Sequence, residues 1–179
     1  MFATGLPRWF WIQCGLIAPM IVVLAALDAE LKNSVVPGGI VDFEFCAWQG
    51  QCTAILASWN TAQRETLMLL QGLDYLFLLQ YPALLVTAWL WAMPMTRRSP
   101  RRFKVLVTLA VLTAFSDAVE NVALIQLVRG AQWPLWGEVA SSAAAIKFTV
   151  LAVLVLGVLA QLTKRVMARL NASREAAGH

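Results

Sequence analysis

Four long runs of apolar residues alternate with short polar segments along the chain. The runs occupy residues 9–29, 67–93, 105–128 and 136–162, here called spans 1 to 4. Each run reaches the roughly 20 residues that an α-helix needs to cross a hydrocarbon core about 30 Å thick. Backbone polar groups have no water partner in lipid, so they must be satisfied within a helix. The runs are continuous rather than alternating, which disfavours strands. The pattern predicts an all-α polytopic membrane protein, with four transmembrane helices in a bundle.

Composition supports this prediction. The chain has 179 residues, of which 60% are hydrophobic and 13% are charged, whereas a soluble domain carries about 25% charged residues. The length predicts one four-helix domain over residues 1–179. The net charge of +4 does not indicate nucleic acid as a partner, because the basic residues stand in short blocks beside apolar runs. We expect membrane lipids as partners, and leave open a homo-oligomer or an accessory subunit of a larger complex.

The first span has two interpretations. Arg8 precedes it and the letters LAALDA end it, which is faintly similar to a signal peptide with its cleavage site. However, the apolar stretch is longer than the roughly 7–15 residues of a signal-peptide core. We therefore favour an uncleaved transmembrane helix.

Lysine and arginine indicate the orientation of the bundle. Ten basic residues lie on one side, before span 1, in the connection 94–104 and in the tail 163–179. They are Arg8, Arg97, Arg98, Arg101, Arg102, Lys104, Lys164, Arg165, Arg169 and Arg174. The other side has Lys32, Arg64 and Arg129, together with the acidic residues Asp28, Glu30, Asp42, Glu44, Glu65 and Glu138. By the positive-inside rule we predict a bacterial cytoplasmic (inner) membrane protein with both termini in the cytoplasm.

The tryptophans form two groups that agree with this topology. The indole ring prefers the interface between membrane and water. Four tryptophans fall at the predicted inner boundary, namely Trp9, Trp11, Trp89 and Trp91. Four fall at or beyond the outer boundary, namely Trp48, Trp59, Trp133 and Trp136. We expect two aromatic belts.

The connection 30–66 is the one long loop that the pattern predicts. Its composition is too apolar for a disordered segment, its letters PGG indicate a turn, and CTAILASW is typical of a short amphipathic helix. We expect an ordered lid on the outer side. Cys46 and Cys52 lie in it, and an oxidising compartment would favour a disulfide between them. Two reduced thiols are the alternative, and a redox-active pair is disfavoured because the spacing is not C-x-x-C.

Ionisable residues interrupt the apolar spans. They are Asp74, Asp117, Glu120 and Lys147. An ionised side chain at the centre of a bilayer costs about 2.5–3.5 kcal/mol on insertion scales, so the four together would cost on the order of 10 kcal/mol if each faced lipid. A cost of this size rivals the net stability of a whole domain. We therefore expect these side chains to face the interior of the bundle.

The spacing of the polar residues predicts that they share one site. Asp117, Glu120 and Asn121 lie at i, i+3 and i+4, on one face of span 3. A stripe on span 2 consists of Gln71, Asp74, Leu78 and Tyr81. Lys147 follows the small residues SSAAA, which allow close approach of span 4. We expect Lys147 to lie between Asp74 and the acids of span 3.

This predicted site suggests three functional hypotheses. Three carboxylates and one ammonium carry a formal excess of negative charge, so we expect a protonated acid or a bound cation. The first hypothesis is binding or translocation of a small amphiphile, a proton or a cation. The second is a membrane enzyme acting on a lipid or isoprenoid, with Asp74 or Glu120 in acid/base chemistry. The third is an accessory subunit in which the charges only hold the fold.

Several common chemistries are absent from the sequence. His179 is the single histidine and ends the chain, which argues against a histidine-ligated metal or haem. There is no phosphate-binding loop or dinucleotide fingerprint. We predict neither a metal nor a cofactor.

Five motifs give the chain a resemblance to a family. In order they are PGGIVDFEF, ILASW, GLDYLFLLQYP, DAVENVAL and AAAIKF, within about residues 35–150. This order resembles small, widespread, uncharacterised bacterial membrane proteins with four helices. The resemblance implies a common fold, and a common site at Asp74, Asp117, Glu120, Asn121 and Lys147. It implies no activity.

Overall fold

The computed structural model describes residues 6–93, 99–132 and 134–177, which form six helices and no strand. The helices are α1 (Leu6–Leu31), α2 (Ile40–Glu44), α3 (Cys52–Ser58), α4 (Thr61–Ala92), α5 (Pro100–Val128) and α6 (Trp136–Ala177). Within these residues, α1, α4, α5 and α6 are each long and apolar enough to cross a membrane. The all-helical class and the four candidate spans are thus confirmed.

The helices extend beyond the apolar runs that predicted them. Helix α4 begins at Thr61 rather than 67, because Asn60 and Gln63 form a reciprocal cap in which Asn60 Oδ1 accepts from Gln63 N (2.9 Å) and Gln63 Oε1 accepts from Asn60 N (3.2 Å). Helix α5 begins at Pro100, where Ser99 Oγ accepts from Arg102 N at 3.3 Å. Helix α6 continues through most of the predicted tail. The helices therefore include polar turns that lie outside the apolar runs.

The long helices do not pack evenly. Helix α1 packs mainly along α4, while α5 packs along both α4 and α6, and α4 also contacts α6. Helix α1 is consequently the least buried of the four. The small residues Ala140, Ser141 and Ala144 of α6 are fully buried, which brings this helix close to its neighbours.

Residues 32–60 contain α2 and α3 and lie over one end of the bundle; we call this segment the lid. Its core is formed by Phe43, Ile55 and Trp59, which pack with Leu67 of α4 and Leu124 of α5. The indole Nε1 of Trp59 donates to the carbonyl of Leu31 at 2.8 Å. The lid is therefore joined to the helices by apolar packing as well as by the chain itself.

A glycine turn leads into α2. Gly39 has a φ of 67°, a conformation that other residues rarely adopt. A side chain at this position would also collide with the carboxylate of Asp28, whose Oδ1 accepts from Ile40 N at 2.6 Å. The PGG motif thus fixes the first turn of α2 against the end of α1.

The sulfur atoms of Cys46 and Cys52 lie at disulfide-bonding distance, with their Cα atoms 4.7 Å apart. The bond joins the end of α2 to the start of α3 within the lid. Cys14, in α1, is free and half-buried. The predicted pairing of Cys46 with Cys52 is therefore present in the structure.

The tryptophans that predicted the two belts differ in their exposure. Trp9 and Trp11 are exposed at one end of the bundle, and Trp48 is exposed at the other. Trp59 corrects the prediction, since it is buried in the lid core and not at an interface. Trp133, the connecting arginines Arg97 and Arg98, and His179 lie outside the described residues.

Candidate functional site

Lys147 of α6 lies at the centre of a buried polar cluster. Its Nζ is 2.8 Å from Glu120 Oε1, 3.1 Å from Asp117 Oδ1 and 3.3 Å from Glu44 Oε1. All four side chains are at most one-tenth exposed. The ammonium group donates hydrogen bonds to Glu120 and Glu44 and forms an ion pair with Asp117.

Local helix geometry accounts for two of these three contacts. Asp117 and Glu120 are one helical turn apart on α5, so both point to the same neighbour. The neighbour is α6, where Ala143 and Ala144 are buried at the contact and keep the two helix axes close. The side chain of Lys147 can then reach both acids without crossing lipid.

The third contact comes from the lid and was missed in the sequence. Glu44, the last residue of α2, is buried against α6, and Ser141 Oγ donates to its carbonyl at 2.9 Å. The sequence placed Glu44 among the acids of the outer side, since it lies in a loop. Its position between Phe43 and Phe45 was the available signal, because an acid between two aromatic residues in a compact lid has little access to water.

Helix α4 contributes a second half of the cluster. Tyr81 OH donates to Asp117 Oδ2 at 2.9 Å, and Asn121 Nδ2 donates to Asp74 Oδ2 at 2.6 Å. Among the described residues, Lys147 forms no ion pair with Asp74, although it pairs with both acids of α5. Its third carboxylate is Glu44, and Asp74 is held by the amide of Asn121 instead. Charge-assisted bonds of this kind are the stronger ones in proteins.

One acceptor of the cluster has no donor. Among the described residues, Gln71 Oε1 is buried without a hydrogen-bond partner, whereas the carboxyl groups of Glu44 and Glu120 meet each other as well as Lys147. Gln71 is only 1% exposed. A buried polar group without a hydrogen-bond partner costs about 1–3 kcal/mol. A ligand that donates a hydrogen bond here would remove this cost.

The cluster also carries more negative charge than the sequence suggested. Glu44, Asp74, Asp117 and Glu120 are four carboxylates against the single ammonium of Lys147. If all five groups were ionised, the formal charge would be 4 − 1 = 3 negative. Burial makes such an excess costly, so protons or a bound cation must offset part of it.

A cavity of about 510 Å³ adjoins the cluster, and we call it the lateral cavity. Its polar lining consists of Asp28, Glu44, Gln71, Asp74, Tyr81, Asp117, Asn121 and Lys147. Its apolar lining consists of Ile17, Ile21, Leu24, Ala25, Ile40, Leu70, Phe77, Leu84, Leu85, Phe148 and Leu151. The sequence-predicted residues thus meet at one cavity, except Glu120, which is bound behind it through Lys147.

The cavity lies where the bundle is incomplete. Helices α1 and α6 both line it, yet α1 packs mainly along α4 and α6 packs mainly along α5. Ile21 of α1 and Phe148 of α6 keep half and about a third of their surface exposed. The space between these two helices is therefore filled by the cavity and not by side chains.

Comparison of the chain with protein-family models, with curated proteins and with solved structures finds no match. The fold and the site define the class: a helical protein with four candidate membrane spans and a buried lysine–carboxylate cluster beside a cavity. The resemblance carried by the five motifs stays a prediction.

Proposed function

We propose that this protein binds a small amphiphile from the membrane in the lateral cavity. One observation carries the proposal: a single cavity joins a charged cluster to a long apolar wall. A polar headgroup would meet the cluster, and an apolar tail would lie against α1, α4 and α6. Sites for small molecules typically measure about 300–1,000 Å³, and this cavity falls within that range.

The shape of the lining favours a molecule with one chain. Along α4 the lining runs from Leu70 to Leu85, which is about 22 Å at the helical rise of 1.5 Å per residue. Gln71 and Asp74 lie toward the lid, Tyr81 lies further along α4, and Leu84 and Leu85 lie at the other end. A ligand would therefore extend from the level of Asp74 toward the far leaflet.

The gap between α1 and α6 provides the route. In a bilayer this gap faces acyl chains, because both helices are candidate spans. A lipid-like molecule can enter sideways without crossing water. The lid covers the same cluster from above through Glu44, which disfavours an aqueous entrance and supports access from the membrane.

We propose further that the lid is extracytoplasmic, and that both termini are cytoplasmic in a bacterial inner membrane. Basic residues gather at the end of the bundle away from the lid, at Arg8, at Arg101 to Lys104 and at Lys164 and Arg165. This is the asymmetry that the positive-inside rule requires. The disulfide of the lid supports the same side, since disulfides persist in oxidising compartments.

Two neighbouring alanines of α1 test the binding proposal. Both alanines are exposed, but Ala25 lines the cavity and Ala26 does not. We expect Ala25→Trp to displace bound amphiphile, while Ala26→Trp keeps it. Native mass spectrometry of each protein, extracted from membranes in mild detergent, measures the bound species. Equal occupancy in the wild type and both variants, or none in any, would contradict the proposal.

A further inference from the structure

The headgroup end of the lateral cavity is rich in hydrogen-bond acceptors, and its principal donors are already engaged. Lys147 donates to Glu44 and Glu120 and is ion-paired with Asp117, Tyr81 donates to Asp117, and Asn121 donates to Asp74. Among the described lining residues, Lys147 is the single basic one. A ligand headgroup therefore meets acceptors and negative charge.

The side-chain oxygen of Gln71 is a second, independent indication of a ligand-binding site. Gln71 lines the cavity and is almost fully buried, and its Oε1 has no donor among the described residues. Because leaving such a group unmet costs free energy, a headgroup with N–H or O–H donors is stabilised here, and one with acceptors alone is not.

The charge of Asp74 favours some headgroups of a ligand over others. Its carboxylate is held by a neutral amide rather than by Lys147, and it is half-buried on the cavity wall. A phosphate or carboxylate headgroup would add negative charge to a cluster that already carries an excess. A hydroxyl group would supply a donor and no charge. A primary ammonium group supplies both donors and the missing positive charge.

On the basis of the proposed function, we infer that the ligand is a cationic amphiphile with a primary amine headgroup. Asp74 is its counter-ion, Gln71 Oε1 accepts one of its N–H donors, and its single apolar chain lies along Phe77 and Leu84 of α4 and Leu151 of α6. Lys147 stays paired with its three acids. It contributes to ligand binding only indirectly, by holding Asp117 in place.

Three probes with one tail and different headgroups test this inference. Dodecylamine, dodecanol and dodecyl phosphate are titrated into the protein in phosphatidylcholine nanodiscs, and empty nanodiscs correct for partitioning into lipid. We expect dodecylamine to bind at least about tenfold more tightly than dodecanol, because its bond is charge-assisted. Dodecyl phosphate should bind most weakly of the three. This comparison uses the wild type alone and needs no variant to fold.

Variants assign the preference to Asp74. Asp74→Asn keeps the size of the side chain and should lose about tenfold in affinity for dodecylamine, with little change for dodecanol. Glu65→Gln, an exposed acid on the same helix outside the cavity, should change neither. An unchanged preference for the amine in Asp74→Asn would overturn the role of Asp74.

The Ala25→Trp variant separates failure of this inference from failure of the proposed function. If the three probes bind with equal affinity and Ala25→Trp abolishes all binding, the cavity binds amphiphiles and the amine preference is wrong. If no probe is affected by Ala25→Trp, both the inference and the proposed function are wrong. Tighter binding of dodecyl phosphate than of dodecylamine would also overturn the inference.

Discussion

Single residues were predictable where helix periodicity alone decides their direction. Asp117, Glu120 and Asn121 share a face because of their spacing on one helix, and the structure directs that face inward. Glu44 was not predictable in the same way, because it meets Lys147 across 103 positions of the chain and only after the lid has docked. Trp59 was misplaced for a related reason, since an indole has the same sequence signature at an interface and in a small core.

The first prediction concerns Lys147. Replacing Lys147 with Met leaves three buried carboxylates without their shared counter-ion. Removing one partner of a buried ion pair typically costs about 3–5 kcal/mol, so we expect a large fall in the unfolding midpoint in detergent. Lys32→Met is the control, because the Lys32–Asp28 pair at 3.1 Å is half-exposed, and exposed pairs contribute about 0–1 kcal/mol. Similar midpoints for the two variants would show that the cluster does not depend on its lysine.

Elements were easier to predict than their ends. Mean hydropathy over an 18-residue stretch identifies all four long helices, because a spanning segment must be apolar throughout. Their ends depend on caps at Asn60 and Ser99, which lie in polar sequence that hydropathy assigns to loops. The lid helices α2 and α3 are only 5 and 7 residues long. Helices this short are marginal in isolation, so tertiary packing decides where they form.

The second prediction tests the contact between α4 and α6. Gly157 lies under the ring of Trp89, and a Cβ at Gly157 would overlap the ring. The ring cannot move freely, because its Nε1 donates to the carbonyl of Leu154 at 2.7 Å. We expect Gly157→Ala to be destabilising, since overpacking costs about 1–3 kcal/mol and outweighs the gain in helix propensity of about 1 kcal/mol.

A matched glycine provides the control for this test. Gly72 of α4 is exposed, and a Cβ there would meet nothing within 4 Å. We expect Gly72→Ala to raise the unfolding midpoint slightly in the same detergent, through helix propensity alone. A higher midpoint for both alanine variants would show that the Trp89 contact is not tight.

The third prediction concerns the disulfide of the lid. Cys46 and Cys52 are 6 positions apart, and closing a loop this short should stabilise the fold by about 2 kcal/mol in the chain-entropy model. We expect reductant to lower the unfolding midpoint of the wild type and to leave the Cys46→Ser/Cys52→Ser variant unchanged. Cys14→Ser should behave as the wild type does, because Cys14 is free. A wild-type midpoint that is insensitive to reductant would contradict the contribution of the disulfide.

At the scale of the whole molecule, the sequence predicted an all-helical protein with four candidate membrane spans. It did not predict how the helices pack against one another. Leu and Ile on a membrane helix serve equally well against lipid and against another helix, since hydrocarbon surrounds them in both cases. The apolar pattern of α1 therefore gives no indication that this helix packs mainly along α4. The lateral cavity follows from that packing and from the docking of the lid, so only its polar residues were predictable.

The fourth prediction concerns the orientation of the molecule in the membrane. Glu65 is exposed near the lid end of α4, and Lys164 is exposed near the opposite end of α6. In a Cys14→Ser background, we expect Glu65→Cys to react with a membrane-impermeant maleimide in intact cells. Lys164→Cys should react only after the cells are permeabilised, because the positive-inside rule predicts that the basic end stays in the cytoplasm.

The two labelling sites are informative only as a pair. A single cysteine can escape the reagent for local reasons, so the orientation is read from the difference between the two sites. Labelling of Lys164→Cys in intact cells together with protection of Glu65→Cys would reverse the proposed topology. It would also place the disulfide of the lid in a reducing compartment, where such bonds rarely persist. The basic residues and the disulfide are independent features of the chain, and both favour the same orientation.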